Sequence, residues 1–297
     1  MGNSRIWRAI WTIAFVCVGL AYSPVQAAMV GTVAGVQYPA WLERDRERRA
    51  VLPGMALRNG DRLSTGGTGR LRLRMVDGGV IKLGPRADFR ADRLERSKDG
   101  VFSGLLNVFK GAFRYTTSAV AKRSRRRNIS MRVSGVTIGI RGTDIWGKAA
   151  NDKDIVCLIE GQISVGRDGE DAFEMNEPLT FYIAPKGKAA LPIAPVDPER
   201  LRKWSAQTDL QVGGEVATES GNWHVYVGGF ATREQAQKLQ ARLLDEGYPA
   251  NVETMRGSTG ARHRIAFDGL IDERAANALT ARLRDTFDVH RAWASQH

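Results

Sequence analysis

"VYVGGFATREQAQKLQARLL" (Val225–Leu244) returns forty residues later as "IAFDGLIDERAANALTARLR" (Ile265–Arg284), with Gly229, Ala236, Leu239, Ala241, Arg242 and Leu243 falling on identical residues. Val225 and Val227 alternate with His224 and Tyr226, the period of a half-buried strand, and Ile265 and Phe267 repeat the pattern. Thr232 then stands as an N-cap with Gln235 at capping-box spacing, and Asp272 takes the cap position in the second copy. Ala236, Leu239 and Leu243, echoed by Ala276, Leu279 and Leu283, recur at helical spacing and predict one apolar stripe per copy. "EGYP" stops the first helix before a strand at "ANVET", and a last strand falls near "VHRAW". Two βαβ copies make a small α+β domain, βαββαβ, over residues 223–297. One sheet face must bury both helices, since each has a single stripe to hide, and the other face stays bare.

Alternation decides what that bare face presents. His224, Tyr226, Arg264 and Ala266 point away from the helices, and Asn251 opens the neighbouring strand. A flat surface of Tyr, His, Arg and Asn suits a sugar: aromatic faces stack on pyranose rings, while the donors pair with hydroxyls and carboxylates. The layout alone would also admit RNA. Between Trp223 and His297, however, ten Lys and Arg face nine Asp and Glu, and nucleic-acid affinity leans on excess cations. The bland alternative is that Tyr226 and His224 are ordinary exposed strand residues.

The same residues resemble the sporulation-related repeat, or SPOR, domain, over about Trp223 to Ala294. Val225, Val227, Gly228 and Phe230 follow the family's first strand, and Ala236 with Leu239 its helix. The resemblance implies binding to peptidoglycan glycan strands stripped of stem peptides, and concentration at division septa. Tyr226 stands where the family commonly has Gln, and "FDGL" (267–270) where a Val-Gly-Pro-Phe pattern is usual. His224, Tyr226, Arg264 and Asn251 are the candidate glycan-binding residues.

Residues 28–193 read differently, as short strands punctuated by Gly and Asp. In "GRLRLRMVDGGVIKLG", Leu71, Leu73 and Met75 alternate with Arg70, Arg72 and Arg74 before an Asp-Gly turn, a β-hairpin signal. Comparable turns are expected at Asn59–Asp61, Lys110–Gly111 and Glu160–Gly161. The region is mainly β, and short strands with glycine turns fit a sandwich or a rolled, solenoid-like sheet equally. Its landmarks, "LRNGDRLSTGG", "VDGG", "IRGTDIWG" and "IEGQISV", resemble the FecR-type domain, which implies a periplasmic module contacting a protein or an envelope ligand. Asp77, Gly78, Arg141, Gly142 and Thr143 carry this likeness, and turns and a buried polar contact explain them structurally.

The remaining segments set the compartment. Arg5 and Arg8, an apolar run from Ala9 to Tyr22 and the small residues around Ala27 have the order of a secretory signal peptide, residues 1–27. Export to the periplasm then leaves Cys157 as the single thiol, in the apolar run "DIVCLIE". The formal charge of +12 becomes +10 without the leader, much of it in the run Lys122–Arg127. That run is either a solvated loop or a contact for an anionic envelope partner. In residues 194–222, Asp197 and Pro198 predict a short helix, and "TDLQVGGEVATESGN" reads as a flexible linker between semi-independent halves.

No His pair has the spacing of a helix-borne metal site, and no phosphate-cradling loop appears. The expectation is a non-enzymatic, multidomain periplasmic protein without cofactor, metal, nucleic acid or membrane anchor. Its partners are glycan strands and, through the β domain, an envelope protein. The alternative is a sensory or regulatory protein whose tail binds a protein instead.

Overall fold

The computed structural model describes residues 28–118, 127–257 and 260–296. The leader and residues 122–126 of the basic run lie outside the described residues. No described helix is long and apolar enough to cross a membrane.

The Asp-Gly hairpin forms as its alternation predicts. Strand Arg70–Met75 pairs with Val80–Leu83, with Leu71 opposite Leu83 and Leu73 opposite Ile81. All four are fully buried, worth about 2 kcal/mol each in water-excluded area. Gly78 takes a φ of 80°, and Asp77 Oδ1 accepts the Gly79 N–H at 2.9 Å to close the turn.

Lys110–Gly111 and Glu160–Gly161 do not turn the chain back. Both lie inside fifteen-residue strands, Phe102–Thr116 and Lys153–Arg167, where Gly111 and Gly161 bend the strand at φ of 89° and 91°. A third long strand, Val136–Ala149, slips register between Arg141 and Asp144, at Gly142. Gly161 and Gly142 face each other there, and a Cβ on Gly161 would stand 2.6 Å from the Gly142 carbonyl oxygen.

Each bent strand therefore pairs with different neighbours along its length. The first part of Phe102–Thr116 pairs with Asp88–Arg96 and, in parallel, with Arg127–Val133; its last part pairs with Val80–Leu83 and Val136–Ala149. The result is one sheet rolled over a core that includes Phe89, Phe113, Tyr115, Ile138 and Val156.

The outer face of the roll has two halves. On one, Trp146, Cys157 and Phe181 form a second small core under helix α1, Pro198–Ala206. Asp197 caps α1 as predicted, accepting from the N–H groups of Glu199 and Arg200. Trp204 of α1 stacks on Trp146 with centroids 4.8 Å apart. On the other half the cations Arg70, Arg72, Lys82 and Arg114 project from adjacent strands.

The glycine-rich stretch after α1 is a strap across that second half. Gln207 O accepts from Arg70 Nε at 3.3 Å, Asp209 Oδ1 accepts from Lys82 at 2.6 Å, and Gln211 N donates to Gln37 Oε1 at 3.0 Å. Val216–Ala217 then forms a two-residue strand between Val36–Gln37 and Leu270. The expectation of a loose linker with semi-independent halves is corrected: glycines that read as flexibility allow close passage over a sheet. A Cβ on Gly214, for instance, would meet Gln37 Nε2 at 2.7 Å, and one on Gly221 would meet the Gly269 carbonyl oxygen.

The tail sheet runs in the order Asn251–Gly257, Gly260–Leu270, Trp223–Phe230, Ala292–Gln296, all antiparallel. Helices α2, Arg233–Asp245, and α3, Glu273–Phe287, cover one face, capped by Thr232 and Asp272. The turn after α2 docks on the rolled sheet, where Gly247 O accepts the Ala40 N–H at 3.3 Å and Trp41 Nε1 donates to Asp245 O at 2.8 Å. Gly247 has φ of 80°, and a Cβ on it would lie 2.7 Å from the Trp41 ring.

Candidate functional site

The face of the tail sheet turned away from the helices brings together all four residues singled out for it. Tyr226 lies opposite Ala266 on one side and Trp293 on the other, Asn251 lies opposite Ala266, and Arg264 opposite Glu253. Val225, Val227, Ile265 and Phe267 turn the other way and are buried beneath the helices.

Tyr226 does not offer an open ring. It is 4% exposed. The Arg264 guanidinium sits 3.7 Å from its ring centroid, His224 stacks beside it at 6.1 Å, and Trp293 tilts against it at 5.7 Å. An aromatic ring in the middle of a four-stranded sheet is within reach of long side chains on both neighbouring strands, and here they close over it. Ala266, between Tyr226 and Asn251, is likewise fully buried.

Two nitrogen donors of the face lie against carboxylates. Arg264 Nε donates to Glu253 Oε2 at 2.7 Å, and His224 Nδ1 lies 2.7 Å from Asp268 Oδ1. These carboxylates orient the donors, and Glu253 offsets the charge of Arg264, which suits a hydrogen-bonding surface. Asn251 is exposed at its margin.

The exposed aromatic is Trp293, at 43%. It lies over Gly228, where an added Cβ would approach its ring at 2.7 Å. Sequence reasoning placed a strand here without asking which way its residues point; alternation from the buried Ala292 would have found it. Glu253 and Asp268 were missed because a carboxylate on an exposed strand has no signal until its cross-strand partner is known.

The β module's landmark residues stand apart from this face. Asp77 pairs with Arg127, which also donates to the Tyr115 hydroxyl at 2.7 Å, and burial pushes that phenol up to about 12. Thr143 is fully buried, its N–H donating to Thr117 Oγ1 at 3.2 Å, while Arg141 is exposed. A Cβ on Gly78 would meet Ser118 Oγ at 2.8 Å, so the Asp-Gly turn and the Arg-Gly-Thr bulge converge on Thr117 and Ser118. Burial pushes the Cys157 thiol up to about 12, the state of an unreactive thiol. Among the described residues no group of three His, Cys, Asp or Glu side chains could hold a metal ion.

Residues 219–290 match the family described as SPOR domain. No curated protein matches the chain. Two crystal structures of a candidate anti-sigma factor from Parabacteroides distasonis are similar in part, both with a TM-score of 0.41. The first is 16% identical and covers 48% of this chain, which spans 64% of that structure. The second is 14% identical, with 63% and 74% covered.

Proposed function

We propose that this chain is a non-enzymatic periplasmic protein of the cell envelope whose tail binds the glycan strands of peptidoglycan. One observation carries the reading: the SPOR match over residues 219–290 falls on a sheet whose face away from the helices holds oriented donors beside an exposed tryptophan. Trp293 supplies the stacking surface, and Arg264, His224 and Asn251 supply donors at its flank. Tyr226 supports them from below by holding the Arg264 guanidinium in place. The rolled β module presents its outer surface to a second envelope component.

The test is co-sedimentation of the full chain with purified sacculi before and after an amidase has removed the stem peptides. Retention is expected to rise after amidase treatment. Equal absence of retention from both preparations would remove the glycan reading and leave a tail that binds protein.

A further inference from the structure

The outer face of the rolled sheet carries a row of cations from three adjacent strands. Arg72 lies opposite Lys82, and Lys82 opposite Arg114, with Arg70 and Arg74 on the same side of their strand as Arg72. Lys148 joins them through Gln207 Oε1 at 3.4 Å. Two carboxylates are paired within this row. Asp144 is engaged by both arms of Arg114, at 2.9 and 2.7 Å, and Asp209 of the strap by Lys82 at 2.6 Å. Among the described residues, exposed Arg72 and Arg74 have no ion-pair partner. Burial pulls the Arg70 pKa down, and Asp209 offsets part of that effect.

A cleft of about 260 Å³ opens beside Asp209, lined by Arg72, Lys82, Thr208 and Leu210. The strap lies in this region as a peptide: Asp209 meets the ammonium, and Leu210 lies beside Gly35, where a Cβ would meet its methyl at 3.0 Å. The internal occupant is thus a carboxylate followed by an apolar side chain.

We propose that this cationic half-face is a docking site for an acidic segment of a partner protein, with Asp209–Leu210 as the intramolecular occupant that such a segment displaces. The proposal deepens the reading of the β module as a contact module. It does not depend on glycan binding by the tail, so the two can fail separately.

The probe is a fluorescein-labelled octapeptide of the strap's own sequence, AQTDLQVG, followed by anisotropy with the full chain. Asp209→Asn, which vacates the carboxylate position, is expected to tighten binding about tenfold relative to the native chain. Arg72→Ala in that background is expected to lose most of the gain, as is a peptide with Asn in place of Asp. Arg72 is exposed and has no ion-pair partner among the described residues, so its loss is expected to leave the fold intact, which melting temperature checks. Equal binding by the native and Asp209→Asn chains overturns the proposal, as does indifference to Arg72→Ala. Anionic phospholipid vesicles and polyphosphate form the remaining arms: stronger Arg72-dependent binding to either replaces the acidic-protein assignment.

Discussion

The molecule presents two sheet faces that carry basic side chains, and they are built on opposite plans. On the tail face Arg264 and His224 each lie against a carboxylate on a neighbouring strand, Glu253 and Asp268. On the rolled sheet Arg72 and Arg74 have no ion-pair partner among the described residues, and the carboxylate on Lys82 comes from a strap laid over the strands. Pairing within a sheet fixes donors and removes net charge, which suits a polyhydroxylated ligand. Pairing through a displaceable segment leaves a positive surface in reserve, which suits an acidic one. Equal counts of arginine would not distinguish them; the source of the counter-charge does.

The largest expected effect breaks the joint between the two faces. Gly247→Ala forces a side chain into the left-handed region against Trp41 and is expected to cost about 2 kcal/mol, read by urea unfolding. An unchanged midpoint would show that the two sheets do not support one another. Next, Trp293→Ala is expected to weaken retention on amidase-treated sacculi about tenfold, the loss of one stacking aromatic. Retention matching the native chain would move the glycan site off this face. Third, raising salt from about 0.05 to 0.5 M is expected to weaken octapeptide binding to the Asp209→Asn chain about fivefold while sacculus retention falls much less. Parallel salt curves would erase the distinction between the faces.

The smallest effect is a slope. Glu215 is buried between strap and tail, and desolvation raises its pKa above the ordinary 4.5 although Arg282 at 2.9 Å pulls the other way. The folded chain thus binds this proton more tightly than the unfolded chain. Its contribution to stability is least favourable at neutral pH and improves as pH falls through the raised value toward 4.5. Relative to Glu215→Gln, the native chain should gain stability as the pH falls from 7 toward 4.5 in urea melts, and superimposable profiles would count against the assignment.

Elements with local grammar were legible in the sequence. Thr232, Asp272 and Asp197 declare their helices because a cap needs only its own next three residues. Asp77-Gly78 declares its hairpin for the same reason. Gly111 and Gly161 read as turns because positive φ serves a turn and a strand bend alike, and only the partner strands choose between them. The strap was misread on the same ground: its glycines and short polar residues fit a free linker, and the contacts that hold it come from Gln37, Arg70 and Lys82, more than a hundred positions away. At the tail face, alternation puts His224, Tyr226 and Arg264 on one side of the sheet, in agreement with the strand register. It carried no information on Tyr226 being roofed over, which depends on the lengths of Arg264 and Trp293 across two strand boundaries.

The two-residue strand Val216–Ala217 also sets how the molecule bears mechanical load. It is hydrogen-bonded to Val36–Gln37 on one side and to Leu270 on the other, in line with both sheets. If the tail is anchored to a wall polymer while the rolled sheet is held elsewhere, tension entering through the tail runs through this splice. The bonds around it, with the Gly247 dock and the Lys82–Asp209 pair, must share the load or part in succession. Drawing the strap away from the sheet would free the very cations it covers, so a pull on one face would unmask the other.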